Sequence, residues 1–121
     1  MKVPFNKIYY SGKELEYIRD SIINRDINAD GKYTHLVSRF LEEKFCANKV
    51  LMTTSGTHAL EMAAMLIGLE EGDEVIMPSF TFPSTANSIM LHGGKPVFVD
   101  ICGDTLNINP KEIETKINSK T

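Results

Sequence analysis

The sequence has little of several features that would mark particular protein classes. Among its 121 residues are only two cysteines, no excess of basic residues and no apolar run of membrane-spanning length. The net charge of −3, without a basic stripe, argues against a nucleic-acid-binding protein. The lack of a long apolar run argues against a membrane span. We therefore expect neither a nucleic acid nor a membrane as a partner.

The two cysteines, Cys46 and Cys102, lack the CxxC spacing and the neighbouring histidine of a zinc site. We interpret them as small buried residues in a reducing compartment, and we predict no metal site. Residues 1–10 lack the basic-then-apolar layout of a signal peptide. The expected location is therefore the cytoplasm.

The first part of the chain, residues 1–48, is predicted to be a helical segment. Apolar residues recur at helical spacing up to about residue 24, and again over His35–Phe45. The polar residues 26–34 between them predict a loop. Such a loop is either a connector or a binding loop, since ligand contacts collect on loops.

From residue 49 onward, strands alternate with helices. Short apolar strands are predicted to begin at Val50, at Glu74 and at Pro96, each followed by a helix. The last helix has a clear start, because Asn109 can cap it and Pro110 suits its first position. This alternation predicts an α/β fold with parallel strands and right-handed crossovers. A sheet of three such strands has unpaired edges, so we expect a larger domain than this chain.

The turn after the first predicted strand is a candidate anion site. Ser55 is a plausible N-cap, Gly56 has no Cβ, and the apolar spacing from Ala59 onward predicts a helix. A helix N-terminus offers free N–H groups and the positive end of the helix dipole to an anion. On this stretch alone, an ordinary capped helix is the more common explanation.

Three runs carry a resemblance to a known family. They read TTSGTHAL, GDEVIMPSFTFPSTANS and GGKPVFVDICGDTLNINPKEIE, in that order. The chain resembles the start of the DegT/DnrJ/EryC1/StrS aminotransferases, which are pyridoxal-phosphate enzymes acting on nucleotide-linked keto sugars. The VPFNK opening and the STAN segment are most similar to the branch that makes dTDP-4-amino-4,6-dideoxygalactose.

The resemblance implies a fold, a cofactor and partners. Residues 49–121 would be the start of the large domain of a fold-type I pyridoxal-phosphate-dependent transferase. The implied cofactor is pyridoxal 5'-phosphate (PLP). The implied substrates are a nucleotide-linked 4-keto-6-deoxy sugar and an amino-acid donor, with glutamate expected, in amino-sugar and cell-surface polysaccharide biosynthesis. A homodimer is also implied, because the family builds its active sites between subunits.

The resemblance also implies roles for single residues. Ser55, Gly56 and Thr57 would hold the cofactor phosphate, and Phe82 would lie over the pyridine ring. Phe80 is interpreted as a core residue. His58 and Asp100 are given no cofactor-binding or catalytic role.

No lysine of this chain matches the family's Schiff-base motif. We therefore expect no catalytic residue in this chain, which would be the N-terminal part of an aminotransferase and inactive alone. Two alternatives stay open. One is a non-catalytic half-domain that binds a phosphate ligand or pairs with another chain. The other is a sugar dehydratase of the same family, in which histidine replaces the lysine.

Overall fold

A computed structural model describes residues 2–121. The chain divides between Met52 and Thr53 into two compact units, which are described separately. The elements, in chain order, are helix α1 (Glu14–Ile23), helix α2 (Lys32–Phe45), helix α3 (Gly56–Leu66), strand β1 (Glu74–Pro78), helix α4 (Ser84–Leu91), strand β2 (Lys95–Val99) and helix α5 (Pro110–Lys116).

Helix α1 in the first unit ends at Ile23, close to the predicted end near residue 24, and begins at Glu14. The Glu14 side chain accepts hydrogen bonds from the backbone N–H groups of Ser11 and Gly12, at 2.7 Å and 3.0 Å. The Ser11 hydrogen bond is the main cause that lowers the pKa of Glu14 to about 2. The Glu14 carboxylate is therefore ionised at any pH well above about 2.

Helix α2 begins at Lys32, three residues before the predicted start at His35. The reason is a cap from a distant carboxylate, because Asp26 Oδ2 accepts the Lys32 N–H at 2.7 Å. The prediction placed this first turn in the polar loop. A cap six residues away is not recognisable from the local apolar spacing.

A carboxylate links the two helices of the first unit. Asp20 Oδ2 accepts hydrogen bonds from Lys32 Nζ at 2.8 Å and from the Tyr33 hydroxyl at 2.9 Å. The Lys32 hydrogen bond, followed by that of Tyr33, lowers the pKa of Asp20 below its ordinary value. The end of α1 is thereby fixed to the start of α2.

The predicted strand at Val50 is absent from the described residues, and the expectation of three strands was wrong. Residues 50–53 have no regular structure, and Leu51 and Met52 are about half exposed. The Val50 N–H donates to Glu42 Oε1 instead of to a strand. An apolar run becomes a strand only where a neighbouring strand accepts its hydrogen bonds, and no described residue does so here.

The second unit contains a parallel two-stranded sheet and three helices. Strands β1 and β2 pair in parallel, from Glu74 opposite Lys95 to Pro78 opposite Val99. Their connection passes through α4, which confirms the predicted α/β alternation in this part of the chain. Helix α5 begins as predicted, with the Asn109 side chain accepting the Lys111 N–H and with Pro110 at its first position.

The core of the second unit is small. Its buried members are Ala64 of α3, Met77 of β1 and Ile89 of α4, with Leu69, Val75 and Ala86 packed against them. The rest of the apolar face predicted for α3 is largely exposed, and both Leu66 and Ile67 are 70% exposed.

The cysteines were wrongly predicted to be buried. Cys46 is exposed and Cys102 is partly exposed, and both are free thiols. Cys46 has a left-handed backbone with φ of 51°, so it terminates α2 at the surface instead of packing in a core.

Candidate functional site

The site is built on the first turn of α3, where the prediction of a capped helix is confirmed. Ser55 has an extended backbone, and its Oγ accepts the His58 N–H at 3.2 Å. The Ser55 carbonyl accepts the Ala59 N–H at 3.1 Å, which completes the first helical hydrogen bond. The Ser55 side chain is thus used as a cap.

Two backbone donors of this turn remain free. In residues 2–121, the N–H groups of Gly56 and Thr57 donate to no protein acceptor. Both belong to the helix start, where the dipole places partial positive charge. They can therefore bind an anion without breaking any hydrogen bond within the described chain.

Gly56 keeps the approach to these donors open. Apart from its chain neighbours and the backbone of its own helix, a Cβ placed on Gly56 would meet no atom of the described chain within 4 Å, and the Gly56 backbone is outside the left-handed region. Neither packing nor backbone conformation therefore requires glycine at this position. The missing Cβ instead leaves room for a ligand beside the N–H groups.

The start of α4 lies next to the start of α3. The hydroxyl oxygens of Thr57 and Ser84 are 2.8 Å apart, although the two residues are 27 positions apart in the sequence. Ser84 is the first residue of α4 and is only 9% exposed. Pro83 before it has no side-chain acceptor, and the Ser84 N–H has no partner in residues 2–121.

Between these two helix starts is an open depression of about 610 Å³. Its lining residues are Gly56, Thr57, Ala59, Leu60, Phe82 and Ser84. The structure thus brings together three of the four predicted site residues. Ser55 is not among the lining residues, because its hydroxyl faces its own helix turn.

Phe82 reaches the depression from the loop that follows β1. This loop is fixed where the strands end, because the Ser79 N–H donates to the Val99 carbonyl at 2.8 Å. In open parallel sheets, ligands bind at the carboxyl ends of the strands. The Phe82 side chain is 74% exposed, so its ring is available for stacking.

Phe80 and His58 are close in sequence to the predicted site residues but do not line the depression. Phe80, predicted to be a core residue, is 68% exposed, so that prediction was wrong for the described chain. The His58 ring nitrogen Nδ1 is hydrogen-bonded to the Thr54 hydroxyl beside the turn, and His58 is not among the lining residues.

Ser84 is the residue that the sequence interpretation missed. Its signal was weak, since it is one hydroxyl in a run rich in serine and threonine after β1. Only the fold reveals that it meets Thr57.

Over residues 2–121, no three or more His, Cys, Asp or Glu side chains are grouped to hold a metal ion. In the same residues, no helix has the length and apolar character needed to span a membrane.

Comparison with known proteins identifies relatives. The model of the DegT/DnrJ/EryC1/StrS aminotransferase family matches residues 10–121. A GDP-perosamine synthase of Vibrio cholerae is 32% identical over 119 residues, which are 98% of this chain and 32% of that protein. A 3-oxo-glucose-6-phosphate:glutamate aminotransferase of Bacillus subtilis is 33% identical over 131 residues, covering 99% of this chain and 28% of that protein. The chain spans about a third of the length of these curated relatives.

Solved structures agree with this relationship. A Streptococcus pneumoniae protein assigned as a sugar aminotransferase superposes in its PMP form with a TM-score of 0.91 and 29% identity, over 100% of this chain and 30% of that one. Its PLP form gives a TM-score of 0.86 and 27% identity, over 100% and 31% of the two chains. An Escherichia coli GDP-4-keto-6-deoxy-D-mannose-3-dehydratase with bound hydrated PLP gives 0.86 and 25%, over 99% and 32%. The predicted fold class is thereby confirmed.

Proposed function

Because the chain belongs to the DegT/DnrJ/EryC1/StrS aminotransferase family, we propose that it is the N-terminal portion of a PLP-dependent sugar aminotransferase. Within this proposal, the enzyme transfers an amino group to a nucleotide-linked 4-keto-6-deoxy sugar. The sugar class follows from the resemblance. A nucleotide-linked sugar is supported by the similarity to a GDP-perosamine synthase, and its 4-keto-6-deoxy form by the similarity to the Escherichia coli dehydratase. Glutamate as the donor is supported by the name of the Bacillus subtilis relative.

The observation that carries the proposal is the depression between α3 and α4. It combines two free N–H groups and the Thr57 hydroxyl with the exposed Phe82 ring. A phosphate group fits the donors, because hydrogen bonds to an anion are stronger than those to a neutral acceptor. A flat pyridine ring fits the face of Phe82. The residues present therefore suit PLP.

Each residue of the depression has a physical task in this proposal. The N–H groups of Gly56 and Thr57 hold the phosphate, while Ser55 fixes the turn by capping it. Phe82 covers one face of the ring and keeps water from it. When bound, the cofactor supplies an electron sink for the amino-acid donor.

The described residues that line the depression include no lysine and no carboxylate. Two tasks therefore belong to residues outside the lining in this proposal. They are proton transfer and the negative charge that keeps the pyridine nitrogen protonated. On this basis the 121-residue chain is inactive alone. We also propose that the full protein is a cytoplasmic homodimer.

A second function, sugar dehydration, is favoured by the similarity to the Escherichia coli dehydratase. The depression suits both enzymes, because both hold the same cofactor. A third possibility is a non-catalytic half-domain that binds a phosphate ligand or pairs with another chain. It would use the N–H groups of Gly56 and Thr57 without the Phe82 ring.

The test is an activity assay on the natural protein that contains this chain. Incubation with PLP, glutamate and a GDP- or dTDP-linked 4-keto-6-deoxy sugar should give the amino sugar and an equal amount of 2-oxoglutarate. A sugar that loses oxygen without gaining nitrogen would indicate the dehydratase. Absence of both reactions and of PLP binding would contradict the proposal.

A further inference from the structure

The starts of α3 and α4 bring two hydroxyl groups within hydrogen-bonding distance of each other. Thr57 and Ser84 line the same depression, and their oxygens are 2.8 Å apart. Either hydroxyl can donate to the other, so the direction of the hydrogen bond decides which proton faces the depression.

Burial favours one direction of this hydrogen bond. Ser84 is only 9% exposed, and in residues 2–121 its hydroxyl has no hydrogen-bond partner other than Thr57. A buried hydroxyl proton without an acceptor is costly, so the burial of Ser84 favours it as the donor to Thr57 Oγ1. Thr57 is less buried and lies one residue from the free N–H of Gly56. Its own proton is then left to point towards an anion.

We propose that Ser84 is a positioning residue for the cofactor phosphate, because its hydroxyl donates to Thr57 Oγ1 and directs the Thr57 proton into the depression. This inference rests on the proposed function. Without Ser84, the Thr57 hydroxyl has no hydrogen-bond partner within residues 2–121 and is free to rotate away from the depression. With Ser84 present, its hydrogen bond to Thr57 polarises the Thr57 hydroxyl, which strengthens the hydrogen bond that Thr57 donates to the phosphate.

The test uses the natural protein that contains this chain and compares two probes, PLP and pyridoxal, which lacks the phosphate. Ser84→Ala should weaken PLP binding about threefold to tenfold, as expected for one hydrogen bond, and leave pyridoxal binding unchanged. Ser88→Ala is the matched control. Ser88 lies on the same helix and is 2% exposed, but its hydroxyl donates to the Thr85 carbonyl of its own helix.

A double-mutant comparison separates positioning from direct contact. In the Thr57→Ala background, Ser84→Ala should have no further effect on PLP affinity, because Ser84 acts through Thr57. Additive losses would overturn the proposal, since Ser84 would then act independently. Equal weakening of PLP binding and pyridoxal binding would also overturn the proposal, because it would indicate a general packing role for Ser84.

The PLP-binding measurements distinguish a failure of the proposed function from a failure of the proposed role of Ser84. Parent protein that binds no PLP would contradict the proposed function itself. Parent protein that binds PLP with an affinity unchanged by Ser84→Ala would overturn only the role of Ser84. A lowered PLP affinity in Ser88→Ala, equal to that in Ser84→Ala, would likewise overturn it.

Discussion

Replacing Gly56 by valine tests the phosphate site while leaving the fold nearly untouched. Apart from the chain neighbours and the backbone of α3, a Cβ at position 56 meets no described atom within 4 Å, and the backbone there is outside the left-handed region. Valine also favours a helix over glycine, by about 0.3–0.5 kcal/mol in the interior and less at the first position. The apo protein should therefore melt close to the parent temperature.

Cofactor binding should respond differently. If the phosphate approaches the N–H groups of Gly56 and Thr57, a side chain at position 56 pushes it away. Each charge-assisted hydrogen bond lost costs about 1.5–3 kcal/mol, which is about one to two powers of ten in Kd. Gly56→Val should therefore weaken PLP binding steeply, and excess cofactor should restore part of the activity.

The assay is a titration of the natural protein and its variants with PLP, followed by the absorbance of the bound cofactor. Gly103→Val is the matched control, because Gly103 also has no neighbouring atom within 4 Å of its Cβ position. Gly103 lies outside the residues that line the depression. An unchanged Kd for PLP in Gly56→Val, together with a lower melting temperature of the apo protein, would contradict the phosphate site. Residues 55–57 would then be only a structural helix start.

Four further predictions follow from the structure. Thr57→Ala should weaken PLP binding more mildly than Gly56→Val, because the side-chain hydroxyl is lost while both backbone N–H groups stay; an unchanged Kd in the same titration would remove the Thr57 hydroxyl from the site. Phe82→Leu should weaken binding of PLP and of pyridoxal alike, by about twofold to tenfold, and an effect confined to PLP would argue against ring stacking. The Asp20 carboxyl should titrate in an NMR experiment below the ordinary 3.8, since Lys32 Nζ and the Tyr33 hydroxyl favour its ionised form. The contribution of the Asp20 carboxylate to stability is thus complete above pH 3.8 and is lost as the pH falls through the lowered pKa. Lys32→Met should raise the pKa of Asp20, because it removes the Lys32 hydrogen bond. The 121-residue chain expressed alone should self-associate, because the apolar side chains of Leu66 at the end of α3 and of Ile67 after it are exposed; sedimentation of a concentration-independent monomer would contradict this.

Local signals in the sequence were sufficient for most helices. Asn109 and Pro110 mark the start of α5, and Ser55 caps α3 as predicted, because each of these two caps involves only residues within one turn. The depression was also predictable in outline. Gly56 and Phe82 were chosen from the family resemblance and line the same depression in the structure.

Features that depend on distant partners were not predictable. The run beginning at Val50 has strand-like composition, but a strand exists only when another strand pairs with it. The start of α2 depends on Asp26, six residues before it, and was placed too late. The contact between Thr57 and Ser84 joins residues 27 positions apart, which no local pattern reveals.

The most direct test of the central claim is a crystal structure of the natural protein with PLP. The phosphate oxygens should lie within about 3.2 Å of the backbone nitrogens of Gly56 and Thr57, with the pyridine ring stacked on Phe82. A cofactor bound elsewhere, with these N–H groups facing only solvent, would contradict the account.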